Sequence, residues 1–142
     1  MSKITKTAGV VIFKDNLVLL VSHTKKAKHK TGVYGIPAGR LDPGENEIET
    51  AIRETYDETC LKVKKEILLP LPNLYKAVIE RKNEPTRLFS LQAYLCLSYE
   101  GDPKNTEENI PKWVKVDNLD KYNLLPNIKQ VILDALELSS NL

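Results

Sequence analysis

The sequence predicts an α+β domain: a mixed β-sheet with helices packed on it. Three observations predict it. Residues 7–13, 17–22, 74–80 and 88–99 are rich in β-branched and aliphatic side chains, the composition of strands. Residues 47–60 and 126–139 carry apolar residues at helical spacing. A hairpin, a helix, further strands and a closing helix then follow one another, which is the order of a single layered unit. The 142 residues suffice for one core with little room for a second, so one domain over 1–142 is expected.

Thr7 to Phe13 reads as the first strand, Lys14-Asp15-Asn16 as a turn and Leu17 to Ser22 as the returning strand. Thr24 to Gly32 holds Lys25, Lys26, Lys28, His29 and Lys30 and reads as a basic surface loop. Val33 to Ile36 is a short apolar piece leading into Pro37-Ala38-Gly39. Asn46 is a suitable N-cap, and Glu49 three residues later completes a capping box, which starts a helix over about 47–60. Ile48, Ala51, Ile52, Thr55 and Thr59 form its inward face. Leu61 to Leu71 reads as a strand broken by Pro70 and Pro72, Leu74 to Glu80 as another, and Arg81 to Pro85 as a turn. In Leu88 to Tyr99, Leu91, Ala93, Leu95, Leu97 and Tyr99 alternate onto one face. Gly101 to Pro111 reads as a polar loop and Trp113 to Val116 as a short strand. The last helix has Pro126 in its first turn and a stripe of Leu125, Ile128, Ile132, Ala135 and Leu136. No internal repeat, low-complexity tract or linker is present.

Composition narrows the class. Hydrophobic residues at 42% and charged residues at 28% are ordinary for a soluble globular chain. A net charge of +2 is too small to argue for a nucleic-acid partner. Cys60 and Cys96 form no CxxC pair, so zinc is not indicated; one disulfide is possible, but two reduced thiols in a cytoplasmic protein are expected. The amino terminus lacks the apolar core of a secretory leader, and Leu17 to Val21 is too short to span a bilayer. No membrane partner is expected.

The chemistry concentrates on the first helix. Glu54, Asp57 and Glu58 stand at i, i+3 and i+4, side by side on one face. Such like-charge pairs cost roughly 0.2–0.5 kcal/mol each. Either the face is merely solvated, or a cation offsets the repulsion. Hard carboxylate oxygens on a rigid support suit magnesium, which often bridges protein carboxylates to substrate phosphates. The corresponding chemistry is metal-assisted hydrolysis of a phosphoanhydride. Gly39 and Gly44 let the preceding turn bend back to the helix, and Arg53 and Asp57 are an i, i+4 pair that a salt bridge could link.

The wider spacing is more specific. Gly39 is followed after five residues by Glu45, after seven more by Arg53-Glu54, and after two more by Asp57-Glu58, with Leu61 closing the stretch. In this pattern the sequence resembles the Nudix hydrolase superfamily, whose signature is Gly, five residues, Glu, seven residues, Arg-Glu, an aliphatic residue, any residue, Glu-Glu, any residue, Gly and an aliphatic residue. Gly39, Glu45, Arg53, Glu54, Glu58 and Leu61 match in register. Thr55 replaces the aliphatic residue, Asp57 shortens one Glu by a methylene, and Cys60 replaces the final Gly, suggesting a different helix exit.

The resemblance implies an α/β/α sandwich and a Mg2+- or Mn2+-dependent pyrophosphohydrolase. Its substrate would be a nucleoside diphosphate linked to a group X, or a nucleoside triphosphate. It further implies Glu54 and Glu58 as principal metal ligands and Asp57 as a further or water-mediated one. One of these carboxylates would help activate the water. Arg53 would orient the carboxylates, Gly39 would offer a backbone group near the metal, and Glu45 would play a structural part. Arg40 is a candidate phosphate contact beside a plain solvated reading. Glu107 or Glu108 could supply a base, as in some members, beside a plain surface reading. Lys25, Lys26, Lys28 and Lys30 are a steering patch or a solubility loop, and His23 and His29 have no readable partner spacing. Tyr34, Tyr75, Tyr94 and Phe89 are candidates for stacking on a base, with core packing the commoner fate, and Trp113 reads as a core anchor. The partner implied is a small nucleotide, with capped or 5′-triphosphate RNA left open. A silent nucleotide-binding sensor on the same fold is the alternative class, and oligomeric state is not legible.

Overall fold

A computed structural model describes residues 3–27, 31–81 and 83–142. Its strands are β1 (Thr5–Lys14), β2 (Leu17–His23), β3 (Tyr34–Gly35), β4 (Ala38–Arg40), β5 (Leu69–Arg81), β6 (Glu84–Cys96) and β7 (Asn109–Lys115); its α-helices are α1 (Glu47–Thr59) and α2 (Ile128–Ser140). The sheet runs β3-β2-β1-β6-β5, with β4 paired to β1 and β7 paired to β2. The β1–β6 pair is parallel and the others are antiparallel, so the sheet is mixed.

Each face of the sheet carries one helix. Ala8, Val10 and Ile12 of β1 point to the α1 side, where Ala51, Leu61, Tyr94 and Cys96 complete the core. Val11 and Phe13 point to the α2 side, with Leu20, Ala93, Leu95, Val131 and Ile132. The alternation of β1 thus feeds two cores from one strand. β6 lies between β1 and β5, and its last residues, Ala93, Tyr94, Leu95 and Cys96, are buried on both faces. Gly9 matters at the junction: a Cβ there would lie 2.6 Å from the Ala38 Cβ and 2.7 Å from the Pro37 carbonyl oxygen. Only glycine lets β4 close on β1 at that point.

Several sequence-based boundaries move. Residues 61–68 are not a strand; they hold an isolated bridge at Lys62 and a 3-10 turn, Lys65–Ile67. Pro70 and Pro72 do not break β5, because β5 is an edge strand whose missing N–H groups interrupt no second ladder. They coincide instead with a register shift between Pro70 and Leu74. β6 starts at Glu84 and ends at Cys96, so Leu97 is exposed and Tyr99 joins the α1-side core. β7 begins at Asn109 because its full length pairs with β2. Pro126 precedes the α2 N-cap, Asn127, instead of entering the first turn. On α2 the stripe includes Val131, while Leu136 is exposed. Lys28, His29 and Lys30 of the basic loop, and Lys82 of the hairpin turn, lie outside the described residues.

Candidate active site

The capping box at the head of α1 forms as the sequence predicts. The Glu49 N–H donates to Asn46 Oδ1 and the Asn46 N–H to Glu49 Oε1, both at 2.9 Å. Glu47 and Glu49 also place negative charge at the positive end of the helix. The approach to the helix is a tight turn: the Glu45 N–H donates to the Asp42 carbonyl at 3.0 Å, and Gly44 takes φ of 84°. Gly44 therefore supplies the bend. Gly39 serves differently, since a Cβ there would overlap the Glu54 carboxyl. It is a space, in strand β4, that lets the helix carboxylate reach the backbone.

Arg53 is the organising side chain. Its Nε and Nη2 donate to the two Glu45 oxygens at 2.7 and 2.9 Å, a bidentate pair. Its Nη1 donates to Glu54 Oε1 at 2.7 Å and lies 3.7 Å from Asp57, and its Nη2 donates to the Arg40 carbonyl at 3.1 Å. The bond from Arg53, helped by the Asp42 N–H and the Thr50 hydroxyl, pulls Glu45 down to about 2. Glu45 thus holds Arg53, and Arg53 holds Glu54.

Glu58 is buried, and its Oε1 accepts the Ala38 N–H at 3.2 Å. Burial first, then its hydrogen bond with Glu54 and the Glu54 charge, raise its carboxyl well above the usual carboxylate range. Glu54 and Glu58 are therefore a close pair of carboxyls. Asp57 stands apart, exposed on the outer side of Arg53. Among the described residues no group of three or more His, Cys, Asp or Glu side chains converges tightly enough to hold a metal unaided. Two carboxylates are nonetheless enough for magnesium, which commonly completes its shell with waters and substrate phosphates. The Glu54–Glu58 pair fits a divalent cation on those terms.

The two carboxylates open into a cleft of about 620 Å³. Gly39 and Arg40 border it beside Glu54 and Glu58, and Tyr75, Phe89 and Leu91 line its apolar part. Arg53, Asp57 and Glu45 do not line it. Tyr75 and Phe89 are thus in reach of a ligand. Tyr34 packs edge-on against Tyr122 at 5.1 Å, Tyr94 is buried under α1, and Trp113 stacks near Tyr99 at 5.9 Å. Lys26 pairs with Glu107 at 3.2 Å, and Glu107 and Glu108 are exposed, outside the cleft lining.

His23 and Glu84 line the cleft and were not expected there. His23 ends β2 opposite Asn109, and burial lowers its pKa. No local signal marks either residue; the pairing of β2 with β7 and of β5 with β6 brings them to the wall. The register does carry one legible hint, since Tyr75, Ala77 and Ile79 alternate onto the cleft side of β5.

A mixed sheet between two helices, with a Gly–Glu–Arg–Glu–Glu frame at the head of a cleft, defines the class. The chain belongs to the NUDIX domain family, whose model matches residues 3–135. It is 34% identical over 70 residues to the asymmetrical bis(5′-nucleosyl)-tetraphosphatase of Rattus norvegicus, covering 45% of this chain and 48% of that protein. It is 30% identical over 110 residues to Nudix hydrolase 6 of Arabidopsis thaliana, covering 78% of this chain and 38% of that protein. The matched stretches thus span less than half of either relative. Among solved structures, a C. elegans Ap4A hydrolase binary complex superposes with a TM-score of 0.69 at 21% identity, covering 98% of this chain and 100% of that one. Among the described residues, no helix is long and apolar enough to cross a membrane.

Proposed function

We propose that the protein hydrolyses a phosphoanhydride bond in a nucleoside diphosphate linked to a group X, or in a nucleoside triphosphate. The observation that carries this reading is the close pairing of half-buried Glu54 with buried Glu58 at the head of an apolar-walled cleft. Glu54 and Glu58 are the principal Mg2+ or Mn2+ ligands, with Asp57, outside the cleft lining, contributing through water. When bound, the cation polarises a phosphoryl oxygen and eases deprotonation of a water. Arg53 and Glu45 keep Glu54 in one orientation. Gly39 leaves room for that carboxyl and offers its backbone beside it. Tyr75 and Phe89 give the nucleoside an apolar wall. The rat relative's name puts dinucleoside tetraphosphates first among substrates to try.

Cys60 gives no support to the alternative of a silent binding module. It adopts the left-handed exit that glycine would supply, with φ of 67° and ψ of 10°. The different helix exit expected from the sequence is therefore not found.

The test is product release from a nucleotide panel with and without magnesium. Glu54→Gln and Glu58→Gln should each lower turnover by roughly a hundredfold or more, the scale of a lost acid–base or ligand group. Full activity in both variants would overturn the assignment. Glu58→Gln should also stabilise the metal-free fold. A raised carboxyl costs stability as pH climbs above the ordinary range, so the gain in Tm should be larger at pH 8 than at pH 5.

A further inference from the structure

We propose that Arg40 and Glu84 form a displaceable latch across the cleft mouth. A bound nucleotide's phosphate takes Arg40 from Glu84, and Glu84 sets how tightly that phosphate is held. This rests on reading the cleft as a nucleotide site.

Three observations carry it. First, the Arg40 backbone is fixed beside the carboxylate pair, because its carbonyl accepts from Arg53 and it follows Gly39. Second, its side chain runs away from that anchor across the cleft. The guanidinium lies over the Phe89 ring at 5.6 Å, and Nη2 reaches Glu84 Oε1 at 3.3 Å. That distance is long for a charge-assisted bond, which usually measures about 2.7–2.9 Å. Third, Arg40 Nε is buried and has no acceptor among the described residues. The guanidinium fork is thus poorly matched by Glu84, whereas a phosphate can engage such a fork through two parallel bonds. The pair is partly exposed, at 34% and 24%, so its own strength is modest and a ligand can displace it. Glu84 heads β6 directly after Asn83, whose φ is 61°, so the latch ties the tip of the β5–β6 hairpin to β4.

The probe is α,β-methylene-ADP, whose bridging carbon blocks cleavage, titrated calorimetrically in magnesium. Arg40→Met should weaken binding about tenfold, the worth of one charge-assisted contact. Glu84→Gln should tighten binding several-fold, and the gain should vanish when combined with Arg40→Met. Arg40→Lys, which keeps the charge but loses the fork, should fall between wild type and Arg40→Met. It replaces Arg40→Met in the cycle if the latter unfolds. Unchanged or weaker binding by Glu84→Gln overturns the latch. So does a gain that persists without Arg40, which makes Glu84 a simple repulsive charge, and so does a lack of binding by every variant. Coupled affinities without turnover on any substrate would leave the latch standing and the hydrolase reading fallen; turnover with uncoupled affinities would do the reverse.

Discussion

At the scale of single residues, the departures from the family signature have separate physical consequences. Thr55 occupies the aliphatic position and is fully buried, and its hydroxyl has no partner among the described residues. A buried unpaired hydroxyl costs about 1–3 kcal/mol. Thr55→Val should therefore stabilise the protein by about 1 kcal/mol, near 3 °C in Tm for a chain of this size. Turnover should not change, because the residue faces the core. A lower Tm would mean that the hydroxyl is satisfied in solution. Glu45 supports a second prediction. Its carboxyl is held at about 2 against an ordinary 4.5. A depressed carboxyl contributes stability above its unfolded value and loses it as pH falls through the folded one. Glu45→Gln should be less stable than wild type at neutral pH, and the two Tm curves should converge between pH 4.5 and 2. Curves that stay parallel to pH 2 would contradict the pairing with Arg53.

At the scale of elements, α1 is secured at both ends by different means. Its capping box is local and was legible in the sequence. Its C-terminus depends on distant partners: the Thr59 carbonyl accepts the Lys104 N–H at 3.0 Å, from the loop between β6 and β7. Cys60 itself sits in the left-handed region, which costs a residue with a Cβ about 1–2 kcal/mol. Glycine would avoid that cost but lose about 0.5–1 kcal/mol in backbone entropy. Cys60→Gly should thus raise the urea midpoint modestly, by an equivalent of about 0.5–1 kcal/mol, with an unchanged slope. A lower midpoint would show that the half-buried Cys60 side chain packs better than its strain suggests. The α2 boundary tells a complementary story. Pro126 and Asn127 look like a helix start, yet Asn127 takes φ of 70° and spends its side chain on the Lys76 carbonyl of β5. Contact with the sheet decided where that helix begins.

At the scale of the whole molecule, the two cores are built from apolar side chains on either face of the sheet, and neither includes a carboxylate. Chelation should therefore abolish turnover while leaving the circular dichroism and cooperative melting in place. Unfolding on addition of EDTA would show that the cation also serves the fold. The same architecture explains the cleft. Its acidic head comes from α1, seated against β4, its aromatic wall from β5 and β6, and its far side from the approach to α2.

The sequence by itself determined the fold class, the limits and cap of α1, and the register of Gly39, Glu45, Arg53, Glu54 and Glu58. These are short-range matters, set by helical and strand periodicity and by spacing along one segment. Tertiary structure alone decided that Glu58 is buried while Asp57 is exposed, though the two are adjacent on the chain. One faces the Ala38 backbone across β4 and the other faces water. It alone brought His23, Glu84 and Phe89 to the same cleft as Glu54, because strand pairing joins residues far apart in the sequence. It also preserved the left-handed exit at Cys60: packing around the helix end outweighed a backbone preference worth only about 1–2 kcal/mol.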